Sequence, residues 1–278
     1  MSLTDEEIIR FVKPFTSVSN ERLTNVLNLL TQIHTSNVQG DLIEIGVWRG
    51  GIIMAMALKC KQLGMTRKIH AYDTFQGMTA PTANDVDLNG ALASHILDAV
   101  KCESSFEDTK RNIDMAEYPH IEYHVGDIIK TDRSAVPSQI ALLRLDTDWY
   151  ESTRFELEVF EPNVVRGGYI VIDDYGHWQG CKKAVDEFLA GKALAIHKID
   201  YTGIWWQKGF SPDTIVQAVI RKFQERSDVG VKKYGVTLDR TDLKTLDWIQ
   251  HAQEELMDGI LYLERLKKEL KPPASESS

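Results

Sequence analysis

DLIEIGVWRGG, residues Asp41 to Gly51, reads as a strand that runs into a glycine turn and then opens a helix. The apolar run Leu42 to Gly46 supplies the strand, Glu44 lies two residues before Gly46, and Gly50-Gly51 begins the helical pattern. A glycine turn lets a ligand approach the backbone, and an acid near a strand end can accept hydrogen bonds from ribose hydroxyls or an amino group. The spacing is not GxGxxG: three residues separate Gly46 from Gly50, and Trp48 and Arg49 stand where a pyrophosphate would lie. A nucleotide-type site is implied, and a dinucleotide site is disfavoured.

Outward from this stretch, apolar strand runs recur at Lys68 to Asp73, Ile121 to Gly126, Ile140 to Asp146 and Tyr169 to Asp173. Helical spacing lies between them at Gly51 to Leu63, Ser104 to Ala116, Glu151 to Val159 and Cys181 to Leu189, with an earlier amphipathic helix at Ser19 to His34. That alternation predicts an α/β fold, a doubly wound and mostly parallel seven-stranded sheet. The last two runs, Ala195 to Asp200 and Gly203 to Gln207, are joined by a tight turn, so the final strand is expected to be antiparallel. Thr74 to Ala99 has weak periodicity and is expected to be a loop acting as a substrate lid. After Phe210 strands give way to helical patterns at Asp213 to Tyr234 and Asp242 to Leu270. The expected organisation is an α/β domain over 1–210, an α-helical hairpin over 211–270 and a disordered Pro/Ser-rich tail over 271–278.

The 278 residues are 43% hydrophobic and 26% charged, enough for a sizeable core. Lys and Arg number 32 against 41 Asp and Glu, a net charge of −9 with no basic block, which argues against a nucleic acid partner. Cys60, Cys102 and Cys181 are far apart, with neither CxxC nor Cys/His clustering, so reduced thiols are expected rather than disulfides or a zinc site. The first fifteen residues carry acids where a signal peptide needs positive charge, and no run is long enough for a membrane span. A soluble, cytoplasmic protein with no membrane partner is expected.

Acids mark the ends of several strands. Asp73 closes the second and Asp127 follows the third, each placed to meet a nucleoside lying across the sheet edge. LLRLDTDWYEST, Leu142 to Thr153, ends the fourth strand in Asp146 with Asp148 two residues on, and GGYIVIDDYG, Gly167 to Gly176, ends the fifth in Asp173-Asp174. Neighbouring parallel strands end on one edge, so Asp146, Asp173 and Asp174 can converge, and clustered carboxylates call for a hard divalent cation such as Mg²⁺. Helix N-caps would explain Asp148 or Asp174 singly, but not the convergence.

With these motifs the sequence resembles the macrocin O-methyltransferase family, class I S-adenosylmethionine-dependent enzymes, whose ExGxxxG pattern matches Glu44 to Gly50. The matching pieces, GDLIEIGVWRGG, YDTFQGM, LLRLDTDWYEST, GGYIVIDDYG and KIDYTGIWWQK, run in order from residue 40 to 208. The resemblance implies a Mg²⁺-dependent transfer of the methyl group of S-adenosylmethionine to a hydroxyl of a sugar or phenolic small molecule. It places the metal on Asp146, Asp173 and Asp174, the general base on Asp148, and the cofactor on Glu44, Asp73 and Asp127 with the turn residues Gly46, Val47, Trp48, Thr74 and Ile128. Thr147 stands where the family often has Gly, Trp149 where Leu is usual, and Gln76 where an acid is common.

Lys222 to Leu266 resembles a segment of MazG-like nucleotide pyrophosphohydrolases, often phage-encoded, with Glu254, Glu255 and Asp258 matching their Mg²⁺-binding EExxD. The facing acidic helix has only Glu225 and Asp228 as counterparts. A broad apolar stripe including Leu246, Ile249, Leu256, Ile260 and Leu263 favours instead a hairpin that self-associates, giving a homo-oligomer of two or more chains. Alternatives to methyl transfer are thus a pyrophosphohydrolase working through the tail, in the host cytoplasm if phage-encoded, and a non-catalytic nucleotide-binding scaffold.

Overall fold

The computed structural model describes residues 3–100, 102–192, 194–209, 214–236, 240 and 242–270. Near its start, the Thr4 hydroxyl accepts from Glu7 N and the Glu7 carboxylate accepts from Thr4 N, a reciprocal cap on helix α1 (Asp5–Val12). The sequence pattern leaves α1 unmarked because eight residues bury only Ile8 and Val12. Ser19 accepts from Arg22 N and so caps α2 (Asn20–Thr35). The chain continues through β1 (Asp41–Ile45), α3 (Gly51–Leu63), β2 (Ile69–Asp73), α4 (Ala93–Val100), α5 (Phe106–Asp114) and β3 (Ile121–Val125). It then forms β4 (Ile140–Leu145), α6 (Tyr150–Val159), β5 (Val164–Ile172), α7 (Gln179–Leu189), β6 (His197–Lys198) and β7 (Ile204–Gln207).

The seven strands lie in the order β3-β2-β1-β4-β5-β7-β6, parallel except for β7, which is antiparallel to both β5 and β6. Successive strand residues point to opposite faces. Leu42, Ala71, Leu142 and Val171 pack toward α1, α2 and α3, while Ile43, Leu143, Ile170 and Ile172 pack toward α6 and α7. Winding reverses between β1 and β4, which opens a crevice at their C-terminal ends.

Three elements differ from the sequence reading. β5 starts at Val164, not Tyr169, because Gly167-Gly168 sit inside the strand where its register against β4 shifts between Ile140 and Leu142. β6 shrinks to two residues because Asp200 accepts from Thr202 N (3.0 Å) and Gly203 N (2.8 Å) and bends the chain into the turn early. The Thr74 to Ala99 segment ends in α4 and is stapled down: Trp149 Nε1 donates to Thr79 O (2.9 Å), Gln179 N donates to Val86 O (2.8 Å), and fully buried Asp85 accepts from Tyr150 N (2.8 Å). In this arrangement it packs over the starts of α6 and α7.

The chain divides into two units after Thr214. The second contains α8 (Thr214–Tyr234) and α9 (Thr245–Leu270), with Arg226 Nη2 3.3 Å from Glu255 Oε1. Leu246, Ile249, Leu256, Ile260 and Leu263 are all exposed. Glu254 accepts from Gln250, so two of the three EExxD acids already have partners within the unit. The side chains of Glu225 and Asp228, the 211–213 junction and the 271–278 tail lie outside the described residues.

Candidate active site

A cavity of about 260 Å³ opens at the C-terminal edge of the sheet, lined from the ends of β1 and β2 and from the turns after β1, β2, β4 and β5. Gly46, at φ +87°, is where the β1 turn touches β4: a Cβ there would lie 1.9 Å from the Asp146 carbonyl oxygen. Only glycine allows that approach. Across the turn, Asp73 Oδ2 accepts from Val47 N (2.7 Å) and Trp48 N (2.9 Å), and its Oδ1 accepts from Phe75 N (2.7 Å). This carboxylate therefore builds the wall of the cavity as well as facing it, and it helps hold Trp48 in a left-handed conformation, φ +48°.

Below the floor runs a buried ion network. Arg144 Nη1 donates to Glu44 Oε1 (2.7 Å) and to Asp146 Oδ2 (2.7 Å), while its Nη2 donates to Asp173 Oδ1. Arg22, reaching in from α2, donates to Asp173 Oδ2, and its Nε lies 2.9 Å from Asp200 Oδ2. Glu44 and Asp173 are almost completely buried. Burial pushes the Glu44 carboxyl well up despite Arg144, and pushes Asp173 up to about 6 against the pull of Arg144 and Arg22. Such a cluster persists because each charge has a partner in place.

Above it, Asp146, Asp148 and Asp174 bring carboxylate oxygens within 4.8 Å of one another. Asp148 holds φ +65°, a conformation that Asp tolerates better than most residues, with Trp149 N donating to Thr147 O at 2.7 Å. Burial pushes Asp148 up to about 7, opposed by hydrogen bonds from Asp174 and Trp178 and aided by the charges of Asp146 and Asp173. Asp174 is pushed well up by burial and then by Asp148, Asp146 and Asp173, and its Oδ2 is buried without a partner. Neither acid caps a helix. The N-caps of α6 and α7 are Trp149 and Trp178, without side-chain bonds, and it is Asp85 that serves α6.

Of the residues expected from sequence, Glu44, Gly46, Val47, Trp48, Asp73, Thr74, Ile128, Asp146, Asp148, Asp173 and Asp174 line the one cavity. Asp127 is not among its lining residues; it caps the following turn, accepting from Ile129 N at 3.3 Å, with Lys130 3.2 Å away. Asp173 faces two guanidinium groups, so the compact acid triad is Asp146, Asp148 and Asp174. Sequence reasoning missed Arg144, Arg22 and His177. Arg144 left a signal, a lone charge inside the apolar run Ile140–Leu145. Arg22 left none, since it lies on a helix 151 residues from its partner. His177, whose Nδ1 is buried without a partner, lines the cavity beside Asp174.

A doubly wound sheet with acids at the switch-point edge defines a nucleotide-type ligand site, and comparison with known proteins makes the class specific. The sequence model of the macrocin O-methyltransferase family matches residues 12–208, and the chain belongs to that family of S-adenosylmethionine-dependent O-methyltransferases. It is 33% identical over 199 residues to demethyldecarbamoylnovobiocin O-methyltransferase of Streptomyces niveus, covering 69% of this chain and 75% of the relative. It is 30% identical over 197 residues, with the same coverage, to the Streptomyces olivaceus 8-demethyl-8-(2,3-dimethoxy-alpha-L-rhamnosyl)-tetracenomycin-C 4'-O-methyltransferase. The solved structure of the O-methyltransferase NovP superposes with a TM-score of 0.62 at 31% identity, over 69% of this chain and 81% of that one. The family match stops at residue 208, short of α8 and α9.

Proposed function

We propose that the chain moves the methyl group of S-adenosylmethionine to a hydroxyl oxygen of a sugar or phenolic natural product, with Mg²⁺ held at the acid cluster. The observation that carries this is the Asp146, Asp148 and Asp174 triad at the switch-point cavity. The residues fit a cation. Asp174 Oδ2 is buried and unpartnered, and carboxylates this close must share protons or a positive ion. Asp146 and Asp174 would hold it, with Asp173, bound to Arg144 and Arg22, supporting them from behind. Mg²⁺ bound there acts as a Lewis acid that lowers the pKa of a hydroxyl beside it.

Asp148 then takes the proton of the acceptor hydroxyl. Asp148 stands beside Asp146 and Asp174 at the cavity, and the turn at Thr147-Asp148-Trp149 fixes its aim. The methyl carbon passes from sulfur to oxygen, and the sulfonium becomes a neutral thioether. The acid-rich wall around Glu44 and Asp73 favours a cationic cofactor over an anionic one. The acceptor class rests on the relatives named for methylating demethyldecarbamoylnovobiocin and a rhamnosyl tetracenomycin. The cytoplasm is the proposed compartment, supported by the buried thiols Cys60 and Cys181. The exposed stripe of α9 supports a homo-oligomer.

The test pairs cofactor binding with turnover. Labelled S-adenosylmethionine should bind the pure protein, and methyl transfer to a panel of hydroxylated sugars and phenols should stop in excess EDTA. Asp148→Asn should keep cofactor affinity while lowering kcat by ~10²–10⁴, the usual cost of losing a general base. Full turnover in EDTA refutes the metal; turnover of Asp148→Asn above about a third of the parent's refutes the base.

A further inference from the structure

The second cluster of metal-ligating side chains lies on strands β2 and β3, among residues the cavity does not use. His70 pairs with Glu122, and Tyr72 with His124, in the parallel β2–β3 register, so all four side chains share one sheet face. His70 Nδ1 lies 3.0 Å from His124 Nε2 and 3.6 Å from Glu122 Oε2. These ligand atoms all fall within 4.8 Å of one another. Zinc bound tetrahedrally to nitrogen and oxygen at ~2.0–2.2 Å needs ligand atoms about 3.3 Å apart, and the two measured separations bracket that edge.

A second, independent feature supports a metal. His70 Nε2 lies 3.2 Å from Asp41 Oδ2, the start of β1. A carboxylate on the far ring nitrogen is the arrangement that metal-bound histidines use to fix tautomer and orientation. With the proton on Nε2, the Nδ1 lone pair faces His124 and Glu122. Lys68 occupies Glu122 Oε1 and leaves Oε2 toward the histidines. Tyr72 stacks on His124 with ring centroids 4.0 Å apart and fixes that ring. Glu122 has a side chain 43% exposed, which gives an ion a path to nearly buried His70.

We propose that His70, His124 and Glu122 bind one transition-metal ion of the Zn²⁺ class, with water as the fourth ligand and Asp41 orienting His70. The ion ties edge strand β3 to β2. It is chemically distinct from the all-oxygen acid cluster, because imidazole ligands select Zn²⁺ over Mg²⁺.

The test uses the full chain after chelation, titrated with ZnCl₂ in saturating Mg²⁺, with melting midpoint and Co²⁺ absorption as parallel readouts. One equivalent of Zn²⁺ should bind and raise the midpoint, and Co²⁺ should give the visible bands of a four-coordinate site. Asp146→Asn, in the cavity, should leave this uptake intact. His124→Gln and Glu122→Gln should abolish it, and Asp41→Asn should weaken it by ~10–100-fold. Glu122 is partly exposed, so its variant keeps the comparison sound if His124→Gln misfolds. Failure of the parent to take up Zn²⁺, or uptake that Glu122→Gln leaves unchanged, overturns the proposal and makes the two histidines a hydrogen-bonded pair.

Discussion

Glu156, on the buried face of α6, shows how one side chain records the charge of the site above it. Its Oε1 accepts from Thr147 Oγ1 at 2.8 Å, and its buried Oε2 has no partner. Burial pushes its carboxyl up to about 8 against the Thr147 bond, with Asp146 and Asp148 adding to the rise. Between its ordinary value and about 8 the folded chain keeps a proton that the unfolded chain has released, so this group makes stability fall as pH rises through that window. Glu156→Gln removes the dependence. Its stability relative to the parent should therefore grow by about 1.4 kcal/mol per pH unit across the window. Urea midpoints at about pH 5.5 and pH 8 would measure it, and an equal difference at both refutes the assignment.

At the scale of elements, the junction of α6, α7 and the Thr74 to Ala99 segment decides whether the cavity wall stands. Asp85 is the pin, accepting from Thr82 N (2.6 Å), Thr82 Oγ1 (2.9 Å) and Tyr150 N (2.8 Å). It fits because Gly180, in the first turn of α7, has no side chain: a Cβ there would lie 2.2 Å from Asp85 Oδ1. The Asp85 carboxylate is buried and cannot swing into solvent. Gly180→Ala should destabilise the α/β unit by about 1–3 kcal/mol and loosen the segment, read by denaturation and by hydrogen exchange at Ala91 and Ala93. Unchanged stability would refute Asp85 as the pin of this junction. The sequence marked this stretch as a loop because its order comes from one buried acid and backbone bonds to distant helices, and neither leaves a periodic trace.

For the whole molecule, every residue assigned to methyl transfer lies in the first unit, and the exposed apolar stripe lies in the second. A chain ending at residue 210 should bind S-adenosylmethionine with the intact chain's affinity and show a lower oligomeric state by light scattering. A truncated chain that keeps the parent's assembly places the contact in the α/β unit. If instead the intact protein hydrolyses a nucleoside triphosphate and Glu255→Gln abolishes it, the tail is a second catalytic module.

Continuous apolar runs alternating with period-3.6 patterns determined, by themselves, the strand sequence and the parallel sheet, since strands buried on both faces read as unbroken apolar runs, and the tight turn at Thr202-Gly203 marked the antiparallel last strand. Acids at consecutive strand ends likewise marked the functional edge, because parallel strands must end together. Tertiary structure alone decided which acids meet. Arg22 and Arg144 claim Asp173, Asp148 comes to stand with Asp146 and Asp174, and Asp127 turns to cap its own loop. Those choices depend on a helix and strands far apart in sequence, and on electrostatic pairing in a buried space, which no local pattern encodes.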